Sequence, residues 1–226
     1  MDAHKSKIRE LQVERTIKAL EKNNIEAFFL PSMKDVLPKV KTLLQPGEVV
    51  SVGGSASLEE TGVLQLLRSG SYEFLDRYKK GLSPQEVQKV FSDSFSSDTY
   101  LASANAITEH GELYCVDGNS NRVAALLFGP KQVILIVSWD KIVPDLRAAV
   151  TRVKNIAAPT NAVRLGCDTY CTTHGKCINA TVSDENLMAL SAGACEHTIC
   201  CNYVVFSRQK FPKRIKVLLV GESFGY

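Results

Sequence analysis

Four short stretches hold the residue types best suited to chemistry. Val52-Gly-Gly-Ser55 follows an apolar run and leads into a helical one. Beyond the carboxyl end of a strand in an open α/β sheet, paired glycines such as Gly53 and Gly54 let backbone approach an anion closely. Ser55 and Ser57 add hydroxyl donors at the same place. No lysine follows these glycines and the spacing is not GxGxxG, so the stretch is neither a P-loop nor a dinucleotide fingerprint. Asn105-Ala-Ile-Thr-Glu-His-Gly111 joins two runs that read as strands. Glu109 in that turn could act as general acid, base or nucleophile, or could be an ordinary exposed hairpin carboxylate. Asp117-Gly-Asn-Ser-Asn-Arg122 offers Asn119 and Asn121 as helix caps. It also sets Arg122 in the first turn of a helix, which the helix dipole disfavours unless a buried carboxylate or an anionic ligand compensates.

The fourth stretch is cysteine-rich. Cys167, Cys171, Cys177, Cys195, Cys200 and Cys201, with His174 and His197 between them, carry donors that suit zinc or an iron–sulfur cluster. Their spacing contains no C-x-x-C, and adjacent Cys200 and Cys201 do not easily reach one ion, so unligated thiols are favoured over a bound metal.

Alternating strands and helices must position these stretches. Ile8, Leu11, Ile17 and Leu20 recur at helical spacing until Asn23-Asn24, so residues 1–24 form an N-terminal helix. Strands are predicted at Glu26–Leu30, Glu48–Val52, Thr99–Ala102, Glu112–Val116, Val133–Val137 and Lys216–Val220. The stripe from Met33 to Leu44 is helical and stops at Pro46-Gly47. Ser57-Leu-Glu-Glu60 and Ser83-Pro-Gln-Glu86 both read as capping boxes. Ile142 through Val153 reads as a helix. The pattern predicts one α/β domain over residues 1–226 with an open, mostly parallel sheet flanked by helices. A cysteine-rich, loop-rich insertion spans residues 164–202, ahead of the last strand.

The chain has 226 residues, 45% of them apolar and 23% charged, which excludes a disordered or fibrous chain. Net charge is +3, too mild by itself for a nucleic-acid binder; the basic run Arg208, Lys210, Lys213, Arg214 and Lys216 reads as a solvated loop. The charged N-terminus lacks the apolar core of a signal peptide, and no apolar run is long enough to span a bilayer. A cytoplasmic location follows as the expectation, and in that reducing compartment seven cysteines stay unpaired.

Several motifs carry a family likeness. Val52-Gly-Gly-Ser55, Glu60-Thr-Gly62, Leu75-Asp-Arg-Tyr78, Asn105-Ala-Ile-Thr-Glu109, Val116-Asp-Gly-Asn119, Asn121-Arg-Val-Ala124, Phe128-Gly-Pro130 and Asn155-Ile-Ala-Ala-Pro159 run in order along nearly the whole chain. In that order the chain resembles the lactate-utilization (LUD) domain family, in its lactate utilization protein C-like branch. The resemblance implies the sugar-phosphate isomerase and CoA-transferase group of folds. It also implies a role in lactate or related 2-hydroxy-acid utilization. Placed side by side, the first three stretches make Gly53, Gly54, Ser55, Asn105, Thr108, Asn119, Asn121 and Arg122 the expected site of a small anionic metabolite. CoA transferases of that group carry a catalytic glutamate in a Ser-Glu-Asn-Gly turn. Thr108-Glu-His-Gly111 resembles it, with threonine and histidine in place of serine and asparagine, which would make Glu109 the catalytic carboxylate of an enzyme acting on a CoA ester or sugar phosphate.

The resemblance further implies a C-terminal cysteine cluster, for which Cys171, Cys177 and Cys200 fall at corresponding places while Ala180 replaces a further cysteine. It leaves room for a non-catalytic assembly subunit that docks iron–sulfur partner proteins, and for a homo-oligomer. These three functions stay open on sequence alone.

Overall fold

In the computed structural model, residues 2–179 and 195–226 are described. The chain begins with α1 (Ala3–Lys22), β1 (Glu26–Leu30), α2 (Val36–Leu43) and β2 (Val49–Val52). Next come α3 (Ala56–Glu60), α4 (Val63–Leu67), β3 (Glu73–Leu75) and α5 (Pro84–Asp93). The middle of the chain supplies β4 (Thr99–Ala102), β5 (Ala106–Thr108), β6 (Leu113–Asp117), α6 (Asn121–Leu127) and β7 (Gln132–Ser138). It ends with β8 (Ile142–Val143), α7 (Leu146–Arg152), α8 (Ala158–Arg164), α9 (Tyr170–His174), β9 (Asn202–Phe206) and β10 (Ile215–Val220).

The expected parallel sheet is present. Six strands pair in the order β1-β10-β7-β4-β2-β3, every neighbour parallel. Its central strands are apolar on both faces because both faces are covered. Along β7, Val133, Leu135 and Val137 enter one core with Leu20 of α1 and Leu126 of α6, while Ile134 and Ile136 enter another with Val40, Leu58 and Leu64. Strand β10 alternates in the same way, Val217 and Leu219 on one side and Leu218 and Val220 on the other.

A second sheet, unanticipated as a separate layer, pairs β8-β5-β6-β9. Ile107, Leu113 and Cys115 face the large sheet, and Ala106, Tyr114 and Val116 face α7 on the outside. Its pieces are too short for their patterning to show. β8 is two residues long, and β9 begins at Asn202, the last residue of the segment read from sequence as a cysteine-rich loop.

Local chemistry explains the other departures. Residues 142–153 are not one helix: Pro144 disfavours helical backbone in the residue before it, so Ile142–Val143 pairs with β5 instead. Asp145 then caps α7 by accepting from the Ala148 N–H at 2.8 Å. Ser57 does not open a capping box. The helix starts earlier, behind Ser55, and breaks at Gly62, whose φ is 75°. Ser83 and Glu86 do form their box. At α6 neither Asn119 nor Asn121 caps. Asp117 does so, its carboxylate accepting from the Ser120 N–H at 3.1 Å and the Val123 N–H at 3.3 Å.

Candidate functional site

Four neighbouring strands of the large sheet, β7, β4, β2 and β3, are parallel, so their carboxyl ends open on the same side. Ligands of open α/β sheets bind there. Gly54, Ser55 and Ser57 follow β2, Arg77 and Tyr78 follow β3, Ser103 and Asn105 follow β4, and Lys141 follows β7. Asp117, Asn119, Asn121 and Arg122 close one side from the end of β6 and the start of α6. Asn161, Arg164 and Tyr226 close another. Together they bound a cavity of about 260 Å³, the size of a small-metabolite pocket.

Arg122 organises the wall rather than reaching into free space. Its guanidinium donates to Ser103 O at 3.0 Å, Asn105 Oδ1 at 3.1 Å and Val116 O at 2.5 Å. Its Nε lies 3.3 Å from Asp117 Oδ2, and the two side chains are only 11% and 9% exposed. The buried carboxylate that the sequence position of Arg122 demanded is therefore Asp117. Gly53 makes room for this bracket. A Cβ there would stand 3.0 Å from Arg122 Cγ and Cδ and 3.2 Å from the Tyr100 hydroxyl.

The remaining cations have no such partner. Arg77 lies over the Phe91 ring, 4.5 Å from its centroid, and beside Tyr78. Arg164 donates to Asn161 Oδ1 at 2.8 Å. Lys141 is buried, and its Nζ donates to Ser57 Oγ and Ser103 Oγ, both at 3.2 Å. Burial, with Arg152 and Arg122 nearby, pushes Lys141 down to about 7. Ser55 Oγ is buried with no hydrogen-bond partner. Among the described residues lining the cavity, four cationic side chains thus accompany one acidic side chain, Asp117, which is spent on Arg122.

Lys141 makes stability depend on pH. Between about 7 and 10.5 the unfolded lysine holds its proton while the folded amine has lost it. The unfolded chain then binds more protons, so raising pH through this window favours the folded state. Below about 7 both forms are charged and the cost of a buried ammonium is present in full. Melting temperatures of the natural protein minus those of Lys141→Met should rise across that window; a flat difference would count against the buried amine.

Of the residues expected from sequence, the cavity gathers Gly54, Ser55, Asn105, Asn119, Asn121 and Arg122, with Gly53 directly behind. It does not gather Thr108 or Glu109. Asn105 precedes β5 and Glu109 follows it, a displacement of about 13 Å along extended chain. Glu109 turns to α1 instead, accepting from Gln12 Nε2 at 2.8 Å and Arg15 NH2 at 2.9 Å. Partial burial raises its pKa, and these two donors more than offset that, holding it below the usual carboxylate range. Thr108 Oγ1 bonds the Glu112 carboxylate. Glu109 is thus placed as a tie between the β5–β6 turn and α1. Glu109→Gln should cost about 1 kcal/mol or less, as exposed ion pairs do, and leave ligand binding at the cavity unchanged by calorimetry.

Sequence reasoning missed Arg77, Lys141, Ser103, Asn161, Arg164 and Tyr226. Lys141 carried a usable signal: a lone lysine just past the apolar run Val133–Val137 stands at the ligand end of a buried parallel strand.

Cys171, Cys177, Cys195 and Cys200 line a separate cavity of about 30 Å³, and burial pushes the Cys200 thiol up to about 12. All seven cysteines are unpaired. Among the described residues no group of three or more His, Cys, Asp or Glu side chains is arranged to hold a metal ion. Ala180 lies outside the described residues.

The LUD domain family model matches residues 13–220. The chain belongs to the LUD domain family. Its fold is shared with the crystal structure of a DUF162 family protein from Deinococcus radiodurans. The TM-score is 0.51 at 15% sequence identity, over 94% of this LUD chain and 98% of that chain. No match was found among curated proteins. Among the described residues, no helix of this LUD domain is long and apolar enough to cross a membrane.

Proposed function

We propose that this LUD domain binds a small carboxylate metabolite of lactate or related 2-hydroxy-acid utilization in the cavity beside Gly54. One observation carries this reading. Arg77, Arg164 and Lys141 converge on a cavity whose acidic side chain, Asp117, is already committed to Arg122. Cations gathered without counter-charge in a partly desolvated cleft favour an anion. Guanidinium groups match a carboxylate in a planar, two-point fashion. The unpartnered Ser55 hydroxyl and the side chains of Asn105 and Asn121 supply donors and acceptors for a hydroxyl next to that carboxylate. Family membership supports the metabolic context, and a cavity of about 260 Å³ has room for such a ligand.

The CoA-transferase-like reading loses its main support, because Glu109 is held by Arg15 and Gln12 away from the cavity. Docking of iron–sulfur proteins has no comparable observation in its favour.

Gly54→Leu tests the site without disturbing the core. A Cβ at Gly54 would make ordinary contacts, 3.6 Å from the Tyr78 hydroxyl and 3.8 Å from Arg77 NH1. A leucine would extend between those groups, over the cavity. Lactate at a hundredfold excess over its dissociation constant should stabilise the natural protein by roughly 2.7 kcal/mol. In Gly54→Leu that stabilisation should vanish while circular dichroism and the ligand-free melting temperature stay close to natural. Equal stabilisation of both proteins overturns the site.

A further inference from the structure

Lys141 has a setting that anion binding alone does not require. Its side chain is 2% exposed and lines the cavity. Its Nζ meets two neutral hydroxyls, Ser57 Oγ and Ser103 Oγ, and among the described residues it forms no ion pair. The charged and titratable groups around it are Arg152, Arg122, Glu60 and the Cys115 thiol, the two arginines outweighing Glu60. Glu60 is otherwise engaged, accepting from the Gly225 N–H at 3.1 Å. A lysine kept only to attract an anion gains nothing from deep burial among arginines, since desolvation opposes its charge. An amine desolvated beside other cations is instead the arrangement that activates lysine as a nucleophile toward carbonyl compounds.

We infer that Lys141 captures a 2-oxo acid in this cavity as a covalent imine. The inference rests on the anion-site reading above: the arginines hold the carboxylate, and the neighbouring carbonyl carbon is presented to Nζ. The Nζ lone pair forms the new C–N bond as the carbonyl π bond opens onto oxygen. The two N–H protons pass to that oxygen, with Ser57 and Ser103 hydroxyls placed to relay them, and the C–O bond breaks to release one water. One amine and one 2-oxo acid thus give one imine and one water, with no oxidant or reductant. A 2-hydroxy acid lacks the electrophilic carbon, so it occupies the same cavity without reacting. The site therefore separates the oxidised from the reduced member of a 2-hydroxy/2-oxo acid pair, holding the first covalently and the second by charge and hydrogen bonds.

The test is reductive trapping. The natural protein is incubated with pyruvate near pH 7.5, sodium borohydride is added, and intact mass and peptide maps are recorded. Hydride from borohydride converts an imine to a stable secondary amine, adding the mass of pyruvic acid less one oxygen. The expected result is one such adduct on Lys141, labelled about tenfold or more above any other lysine because exposed lysines are almost wholly protonated at that pH. Excess lactate should suppress the labelling. Lys141→Arg, which keeps a cation, should show no adduct at the site. Thermal stabilisation by lactate is measured on the same samples. Stabilisation without an adduct, or labelling spread evenly over lysines, overturns the imine and leaves the anion site standing. Neither stabilisation nor adduct overturns both.

Discussion

Replacing Arg122 with methionine is expected to destabilise the fold by about 3–5 kcal/mol, as removal of one partner from a buried ion pair does. Arg122 ties together the end of β4 through Ser103 O, the Asn105 side chain, the end of β6 through Val116 O, and Asp117. Without it Asp117 is left buried and unbalanced, although it still caps α6 through the Ser120 and Val123 N–H groups. The Ser103 and Val116 carbonyls also lose this donor, while Asn105 Oδ1 keeps the Val116 N–H, and each buried group left unsatisfied adds to the cost. Urea unfolding measures the loss. A change below about 1 kcal/mol would show that the bracket is not what joins the two sheets at the cavity. Adding Asp117→Asn to Arg122→Met should recover part of the loss, since the uncompensated charge is then gone.

Gly111→Ala should be similarly severe for a different reason. Gly111 sits in the β5–β6 turn at φ 82°, a left-handed conformation that costs an alanine about 1–2 kcal/mol. A Cβ there would also stand 2.5 Å from Ala19 C and 2.7 Å from Ala19 O and Leu20 N. These are backbone atoms of α1, which cannot yield locally because Leu20 is fully buried in the core. The sum is on the order of 3 kcal/mol or more. Gly166→Ala is the control: its φ is 64° but nothing lies within 4 Å of the added carbon. It should show the conformational cost alone, about 1–2 kcal/mol. Equal losses for the two variants in thermal or urea unfolding would mean that α1 does not press on the turn.

The large sheet was legible because its central strands are apolar on both faces, as Val133–Val137 and Lys216–Val220 show. The second sheet was not, because β5 and β8 offer only three and two residues, and the β5–β8 and β6–β9 pairings run across long sequence separations. The Gly53-Gly54 loop and Arg122 were legible as parts of one site through strand-to-helix position and an awkwardly placed charge. Glu109 was misassigned to that site because turn chemistry alone does not say which way a turn faces. The direction is set by Gln12 and Arg15, almost a hundred residues earlier. Arg77 and Arg164 were invisible as site residues, since each looks like an ordinary surface arginine until β3 and α8 are placed.

Titration calorimetry with lactate at pH 6 and pH 9 tests the cavity most directly. Lys141, pushed down to about 7, is charged at the lower pH and neutral at the higher. A carboxylate bound among Arg77, Arg164 and Lys141 should therefore bind several-fold more tightly at pH 6, and should draw in a proton on binding near pH 7. Binding that is absent at both pH values, or equally tight at both, would contradict an anion site built around Lys141.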